Sequence, residues 1–331
     1  MPSEKIATGA TELFMIRHPV LLADMNVAAG PRLAAAVTNA GGLGVIGGGA
    51  YTPQQLRDTI HEMKAYLDDK SAPFGVDLLV PSYDYLKGKL DQLVDVMIEE
   101  KVTVFVCAVG LPPKHVVDRL HAAGILYMNM CGHLKHAVRA AQLGADLVCA
   151  QGGEGGGHTG DIPTVVLIPA VQLIAGGGMF NGQSLAAALM LGAAGIWVGT
   201  RFILSEESGS SARHQEAVRT AEHEQIIRST IFTGRPINSR ETSYLRRWEE
   251  ERRTDMLELQ ARGIVPVQQG LDTKPGDEEV LDGSFPLLMG KVAPLVREKL
   301  PAKEIVDGMV DDAADLLASG SRLLTGRSVH L

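Results

Sequence analysis

Aromatic residues make up only 5% of this 331-residue chain, and cysteines number three. Cys107, Cys131 and Cys149 are odd in number and widely spaced, which excludes a disulfide framework and gives no zinc pattern. A reducing compartment, and with it a cytoplasmic location, is the expectation. Positive charge is also scarce: 31 Lys plus Arg against 39 Asp plus Glu leave a net charge of −8. Nucleic-acid partners depend on clustered positive charge, so none is expected. No apolar run reaches the roughly 20 residues of a membrane-spanning helix. The most tempting stretch, Pro163 to Gly178, contains Pro169 and Gln172 and ends in three glycines, so it reads as buried core rather than a membrane segment. The N-terminus carries Glu4 and Glu12 without a basic segment leading into an apolar one, and does not read as a signal peptide. Walker A and G-x-S-x-G sequences are missing as well.

What the chain has in excess is glycine, 37 residues, against an average near 7%. Most of them lie in the first two hundred residues beside apolar runs, a usage that places backbone against a ligand. Apolar residues at 45% and charged residues at 21% are otherwise those of a folded globular protein.

Short apolar runs alternate with helical patterns through about residue 205. The runs are Val20–Met25, Leu43–Gly47, Phe74–Val80, Val102–Val109, Ile125–Met130, Ala145–Ala150, Gln172–Ala175 and Gly195–Phe202. Nearly all of them lack polar alternation, as strands buried on both faces do. Helical patterns fall between them at Pro31–Ala40, Thr52–Leu67, Tyr83–Glu100, Pro113–Ala123, Cys131–Leu143 and Gln183–Leu191, the last with Asn181 as N-cap. Strand and helix in this alternation predict a (β/α)₈ barrel, with an open doubly wound sheet as the alternative.

The pattern changes after Phe202. Ser205 to about Gly270 is polar and charge-dense with no convincing strand, and Arg246–Arg253, reading RRWEEERR, predicts a solvated helix face. A linker-like segment, Leu271–Gly283, precedes a helical stretch from Leu287, and Val306–Leu324 predicts a closing amphipathic helix. The expected organisation is a barrel over 1–204, closed by helices from 287–331, with a helical cap over 205–286.

In parallel α/β folds the chemistry sits at the carboxyl ends of strands. Gly176–Gly178 and Val198–Gly199–Thr200 follow consecutive runs, where barrels commonly hold a phosphate on backbone N–H groups; tight turns into helices are the competing reading. The strongest signal is Gln151–Asp161, QGGEGGGHTGD, which leads through five glycines to His158. A histidine there can approach a small substrate closely, and its ordinary pKa suits proton abstraction. His115, His121, His133, His136, His214 and His223 sit in helical patterns and read as structural. His133, His136 and Asp146 offer no defined third metal ligand, so no metal site is expected. The cysteines read as small buried hydrophobes.

These motifs together resemble the nitronate monooxygenases, formerly called 2-nitropropane dioxygenases, over nearly the whole chain. The pieces are HPVLLADMN (18–26), NAGGLGVIGGG (39–49), PFGVDLLVP (73–81), QGGEGGGH (151–158), AGGG followed by FNGQSLAAALMLGA, and WVGTRF (197–202). The resemblance implies an FMN-dependent barrel in which Asp24, Met25 and Asn26 border the flavin ring, Asp77 and Gln151 meet its polar edge, and Gly156 passes close by. It implies that Gly178, Trp197, Val198, Gly199 and Thr200 cradle the phosphate, and that His158 is the catalytic base. The implied reaction takes a nitronate, or a nitroalkane deprotonated by His158, with O2 to a carbonyl compound and nitrite. The rivals are an FMN-dependent NAD(P)H reductase of the enoyl-acyl-carrier-protein or quinone type, and a flavin-free binding protein. Two departures stand out. Many relatives carry Asn at the place of Asp77, and the crossover after Ile162 is shorter than theirs, so either its helix is unusually short or the seventh strand is displaced.

Overall fold

The computed structural model describes residues 6–49, 51–80, 88–171 and 174–323. Among these residues eleven strands are β1 (Val20–Leu22), β2 (Gly44–Gly47), β3 (Phe74–Leu79), β4 (Val104–Ala108), β5 (Leu126–Cys131), β6 (Leu147–Gln151), β7 (Gly157–His158), β8 (Ile174–Gly176), β9 (Gly195–Val198), β10 (Ile226–Ser229) and β11 (Ile237–Arg240). Eight of them form one parallel sheet in the order β1-β9-β8-β6-β5-β4-β3-β2. The sheet closes where Leu22 N donates to Leu43 O at 2.9 Å and Leu43 N donates to Val20 O at 3.0 Å. The molecule is a (β/α)₈ barrel, because each buried strand returns through a helix that covers its outer face.

Two apolar layers hold the barrel. Outside it, Val76, Leu78, Phe105, Cys107 and Tyr127 point from the strands to Leu33, Ile60, Leu93 and Val117 on the helices. Inside it, Leu21, Val45, Val104, Val106, Met128, Leu147, Cys149, Ile174 and Trp197 fill the axis. The short helix Gly9–Phe14 contributes Ala10 and Phe14 to this inner cluster and so plugs one end. Its N-cap Thr8 and Thr11 bond each other reciprocally, which fixes the plug's first turn. The long helix Ala302–Ser321 packs against Gly182–Met190 and Pro31–Asn39, completing the outer ring from the C-terminus.

The short crossover resolves in favour of a short helix. Thr164–Val171 is only eight residues long, about 12 Å at 1.5 Å per residue. Strand β8 nevertheless pairs in register with both neighbours, Gln151 with Gly176 on one side and Gly176 with Trp197 on the other. The expected strand began at Gln172, which with Leu173 lies outside the described residues; so do Tyr83–Lys87 of the expected fourth-strand approach helix and Leu324 of the closing helix.

Other expectations change. The strand expected to reach Met25 ends at Leu22 and turns into a short 3₁₀ segment, Asn26–Ala29. The last barrel strand ends at Val198, and Thr200–Ile203 is a helical turn. The segment read as free of strands contains β10 and β11, an antiparallel hairpin that pairs onward to β7. The linker-like stretch is helical at its two ends, Pro266–Thr273 and Glu278–Gly283. From Leu287 the chain runs irregularly apart from Ala293–Leu295, and helix resumes at Ala302. RRWEEERR is not wholly solvated: Trp248 is buried with Tyr244 and Leu245, and the Arg252 guanidinium stacks 3.9 Å above the Trp248 ring. Val165 and Val166 are each 60% exposed, so the helical part of the Pro163–Gly178 stretch has a solvent face, while Ile174–Gly176 is buried. Among the described residues no helix is long and apolar enough to cross a membrane.

Candidate functional site at the barrel mouth

Side chains alternate along a strand, so the residue two places beyond each inner apolar residue also faces the axis. Applied to the carboxyl ends, this puts Ala23, Gly47, Asp77, Ala108, Met130, Gln151, Gly176 and Gly199 around the mouth. Three are glycine and two alanine, so these positions put little side-chain volume above Trp197, Val106 and Met128. Gly176 shows the alternation directly: a Cβ there would lie 3.3 Å from Cys149 Sγ and 3.5 Å from Gln151 Cβ.

On one side of this mouth the expected residues converge. Asn26 N donates to Asp24 Oδ1 at 3.2 Å, and Asn26 takes a left-handed φ of 52°. Met25 packs where the inner cluster, the outer cluster and a third one around Ile203, Val218 and Met289 meet, and its Sδ lies 3.4 Å from where a Cβ on Gly199 would sit. Gly48, at φ +73°, is bare because its Cβ would fall 2.0 Å from Asp24 Oδ2. Gly47 is bare because its Cβ would strike the Asp77 carbonyl oxygen at 2.0 Å. Asp77 is 3% exposed, and its Oδ1 has no hydrogen-bond partner among the described residues. Burial pushes the Asp24 carboxyl up to about 7. Burial and the neighbouring Asp24 raise Asp77 well above the usual carboxylate range.

On the other side stands the loop after β6. Gln151 Nε2 lies 3.5 Å from Gly156 O and lies against Gly155. Gly156 faces Gly290, whose N would sit 2.8 Å from a Cβ at that position. The Glu154 carboxylate accepts Thr164 N at 2.9 Å and Thr164 Oγ1 at 2.5 Å, which anchors the loop to the first turn of the crossover helix. His158 pairs with Ile237 across β7 and β11. Its Nε2 lies 3.0 Å from Thr233 Oγ1, and burial, with a smaller contribution from Arg235, lowers its pKa below the ordinary value. The imidazole is therefore neutral at pH 7, the form a base requires.

The phosphate-type turns are close to this loop. Gly177 and Gly178 have φ of +85° and +78°. A Cβ on Gly177 would meet Gly152 O at 2.9 Å, whereas Gly178 has open space apart from Glu154 Cβ at 3.7 Å. The Trp197 indole lies in the inner cluster and Val198 in the outer one, so these two can face the mouth through backbone alone. Thr200 Oγ1 accepts Gly290 N at 2.9 Å, which fixes the turn that follows Gly199.

Sequence reasoning missed Asn238. It is 1% exposed, and its Nδ2 donates to Gly153 O at 2.9 Å and Gly155 O at 2.7 Å. It also missed Met289–Gly290–Lys291, where Lys291 N donates to Glu154 O at 2.9 Å. Both come from far along the chain, and the only local signal was an amide residue in a short apolar-polar run, INSR.

A sequence model of the family described as nitronate monooxygenase matches residues 8–312. The chain is 32% identical over 349 residues to a Rhodococcus jostii protein named (3aS,4S,5R,7aS)-5-hydroxy-7a-methyl-1-oxo-octahydro-1H-indene-4-carboxyl-CoA dehydrogenase, covering 93% of this chain and 96% of that one. It is 27% identical over 293 residues to a probable nitronate monooxygenase of Staphylococcus saprophyticus, covering 74% and 82%. Among solved structures it is similar to FabK from Thermotoga maritima, with a TM-score of 0.81, 31% identity and coverage of 96% and 100%. A nitroalkane oxidase from Streptomyces ansochromogenes gives a TM-score of 0.78 at 26% identity, covering 94% and 99%.

Proposed function

The chain belongs to the nitronate monooxygenase family and is an oxidoreductase, and from that premise we propose that it binds FMN and converts alkyl nitronates, and nitroalkanes, with O2 to carbonyl compounds and nitrite. The observation that carries the reading is a neutral, half-buried His158 on a glycine loop beside a mouth ringed by small residues.

The mouth fits a flavin mononucleotide on two counts. Its small-residue ring suits a flat ring system, and the buried Asp77 Oδ1 has no hydrogen-bond partner among the described residues, one that a ligand atom would supply. Asp24, Met25 and Asn26 would border the ring, Asp77 and Gln151 would meet its polar edge, and Gly156 would pass beside it. Gly178 and the backbone of Trp197, Val198, Gly199 and Thr200 would receive the phosphate, as N–H groups at glycine turns do. On this reading 1–204 is the cofactor-binding barrel, 287–331 returns its closing helix, and 205–286 covers the substrate. When bound, FMN supplies the electron-transfer chemistry that no side chain here offers.

The protein's own part is positional and acid–base. His158 takes a proton from the carbon bearing the nitro group, and the Thr233 hydroxyl 3.0 Å from Nε2 fixes the ring plane. A preformed nitronate needs no such step. The test is nitrite release from propionate 3-nitronate by FMN-loaded protein, with heat-released cofactor identified by chromatography. FAD overturns the cofactor assignment, and no flavin after reconstitution overturns it and leaves a binding protein.

A second reading is favoured by the greater identity and coverage of the CoA-ester dehydrogenase and FabK. It makes this chain an FMN-dependent reductase or dehydrogenase using NAD(P)H or a thioester. Rapid anaerobic bleaching of the bound flavin by NADH, without nitrite release from nitronates, would establish it over the first.

A further inference from the structure

Behind the glycine loop lies a second cavity, of about 300 Å³, bordered by Gly153, Glu154, Asp161, Arg228, Asn238 and Lys291. The register of the three-stranded sheet separates it from the barrel mouth. Ile237 stands opposite His158, whereas Asn238 stands opposite both Gly157 and Arg228. Side chains alternate along a strand, so Asn238 and Arg228 share one face of this sheet and His158 projects from the other. The loop after β6 is the wall between the two spaces: Gln151 borders the mouth from one side of it, while Gly153 and Glu154 border the cavity from the other.

The cavity carries positive charge that the protein leaves unpaired. Arg228 donates one N–H to Thr159 O at 3.1 Å, and Lys291 Nζ donates to Ile226 O, so most N–H groups of both stay free for a ligand. Among the described residues neither cation enters an ion pair, although Arg213, Arg246 and Arg247 are held by Asp282, Glu241 and Glu279. The Glu154 carboxylate is turned to Thr164 N and Oγ1 instead. Asp161 is exposed at the rim and likewise forms no ion pair among the described residues. Asn238 is the buried member of the set. Both its amide hydrogens are committed to Gly153 O and Gly155 O, and its Oδ1 has no partner among the described residues, so what it brings to the cavity is an acceptor.

Two cations, one carboxylate and one amide oxygen define the chemistry of an occupant. The guanidinium fork and the ammonium suit the oxygens of a dianion, while Asp161 and Asn238 Oδ1 suit hydroxyl hydrogens beside it. A metal cation is repelled by Arg228 and Lys291, and a bare anion leaves the Asn238 acceptor unpaired. We propose that this cavity is a second ligand site, distinct from the barrel mouth, which takes a sugar phosphate, with the phosphate on Arg228 and Lys291 and the sugar hydroxyls on Asp161 and Asn238 Oδ1. An acid for the hydroxyl and an arginine for the phosphate is the pairing by which dinucleotide folds read a phosphorylated ribose. The volume is at the small end of ligand sites, so the sugar phosphate is either free or one end of a nucleotide whose remainder lies outside. Such a site is compatible with either reading of the mouth and depends on neither. Its occupant bridges Asp161 to β10 and Lys291, and so steadies the loop that carries His158.

The test is calorimetric titration of FMN-loaded protein, whose mouth is filled, with ribose 5-phosphate, inorganic phosphate and ribose. Ribose 5-phosphate should bind more tightly than either fragment. Arg228→Gln and Lys291→Gln should each weaken it by about tenfold or more, the scale of one charge-assisted hydrogen bond. Asp161→Asn, at an exposed position that the fold tolerates, should weaken ribose 5-phosphate without weakening inorganic phosphate. Amide exchange within residues 153–161 should slow when ribose 5-phosphate is added. Absence of binding, displacement of ribose 5-phosphate by FMN, or equal affinities in wild type and all three variants overturns the proposal. Should the protein take up no flavin, Arg228-dependent binding of ribose 5-phosphate to the flavin-free protein still upholds this site, and its absence there overturns it, so the two failures are told apart. Adenosine 2′,5′-bisphosphate and adenosine 3′,5′-bisphosphate separate the sources. Tighter binding of the first assigns the phosphorylated ribose of an NADPH-type cosubstrate, tighter binding of the second that of a CoA ester, and no gain over ribose 5-phosphate a free sugar phosphate.

Discussion

The two sides of the barrel mouth are built in opposite ways. Asp24, Gly47, Gly48 and Asp77 are placed by strands β1, β2 and β3, with Gly47 in register beside Asp77, so their geometry is that of the closed sheet. The loop carrying His158 is held from outside, by Asn238 on β11, by β7 pairing with β11, and by Gly290 against Gly156. The partners of Gly153 and Gly155 lie 85 and 83 residues away in sequence. The carboxylate side should open only with the barrel, whereas the histidine side should open when β11 and Gly290 alone come away from it, a lower-cost local event.

The largest expected effect is at the chemical end of the loop. His158→Asn should lower kcat/KM on neutral nitroalkanes by roughly 10²- to 10⁴-fold, the range for removing a general base. Activity on preformed nitronates should fall much less, with FMN content unchanged; equal losses would make His158 a binding residue. On the sheet side, Gly47→Ala tests rigidity. A Cβ there would lie 2.0 Å from the Asp77 carbonyl oxygen at a φ of +144°, which should cost about 3 kcal/mol or more in urea unfolding. A loss below about 1 kcal/mol would show that β2 and β3 can separate, and the contrast between the two sides would collapse.

The same contrast explains what could be read in advance. Strands such as Val104–Ala108, and Phe74–Leu79 apart from Asp77, are apolar runs, because both faces are buried and local composition alone marks them. The glycine loop and the turns at Gly178 and Gly199 were also legible, since bare backbone at a strand end has a strong local signature. Strands β10 and β11 were not, because they read IIRS and INSR and owe their strand state to pairing with each other and, for β11, with β7 rather than to alternation. Asn238 was invisible for the same reason: an amide that satisfies two carbonyls of a remote loop looks, in sequence, like any surface Asn. The short crossover helix Thr164–Val171 departs from the family pattern, yet β8 stays in place because its register is set by β6 and β9 on either side.

Asn238→Ala isolates the grip of β11 on the loop. It removes donors from Gly153 O and Gly155 O and leaves two largely enclosed carbonyls unpaired, at a cost of about 2 kcal/mol. The loss should be local: faster amide exchange and proteolysis within residues 151–161, with the sheet strands protected as in wild type. Uniform loss of protection through β1 to β6 would mean that loop and barrel unfold as one unit, which erases the distinction between the two sides.

The smallest effect concerns Arg235, whose charge lowers the His158 pKa after burial has done most of it. Protonated His158 cannot act as a base, so the acidic limb of the kcat/KM profile lies below the ordinary histidine value of 6.5. Arg235→Gln removes the positive charge and should move that limb upward in pH. The stability consequence has a definite sign. A histidine whose folded pKa is depressed destabilises the native state as pH falls below the unfolded value, because the unfolded chain then binds the proton more readily. Arg235→Gln should reduce that acid sensitivity slightly, while leaving stability at alkaline pH unaffected through this linkage. Arg235 is exposed, so its influence is screened, and raising salt in the wild-type protein should reproduce part of the variant's upward movement. A limb that moves neither with salt nor with the substitution would assign the His158 shift to burial in the cap alone, and would make the loop side as insulated from solvent as the sheet side.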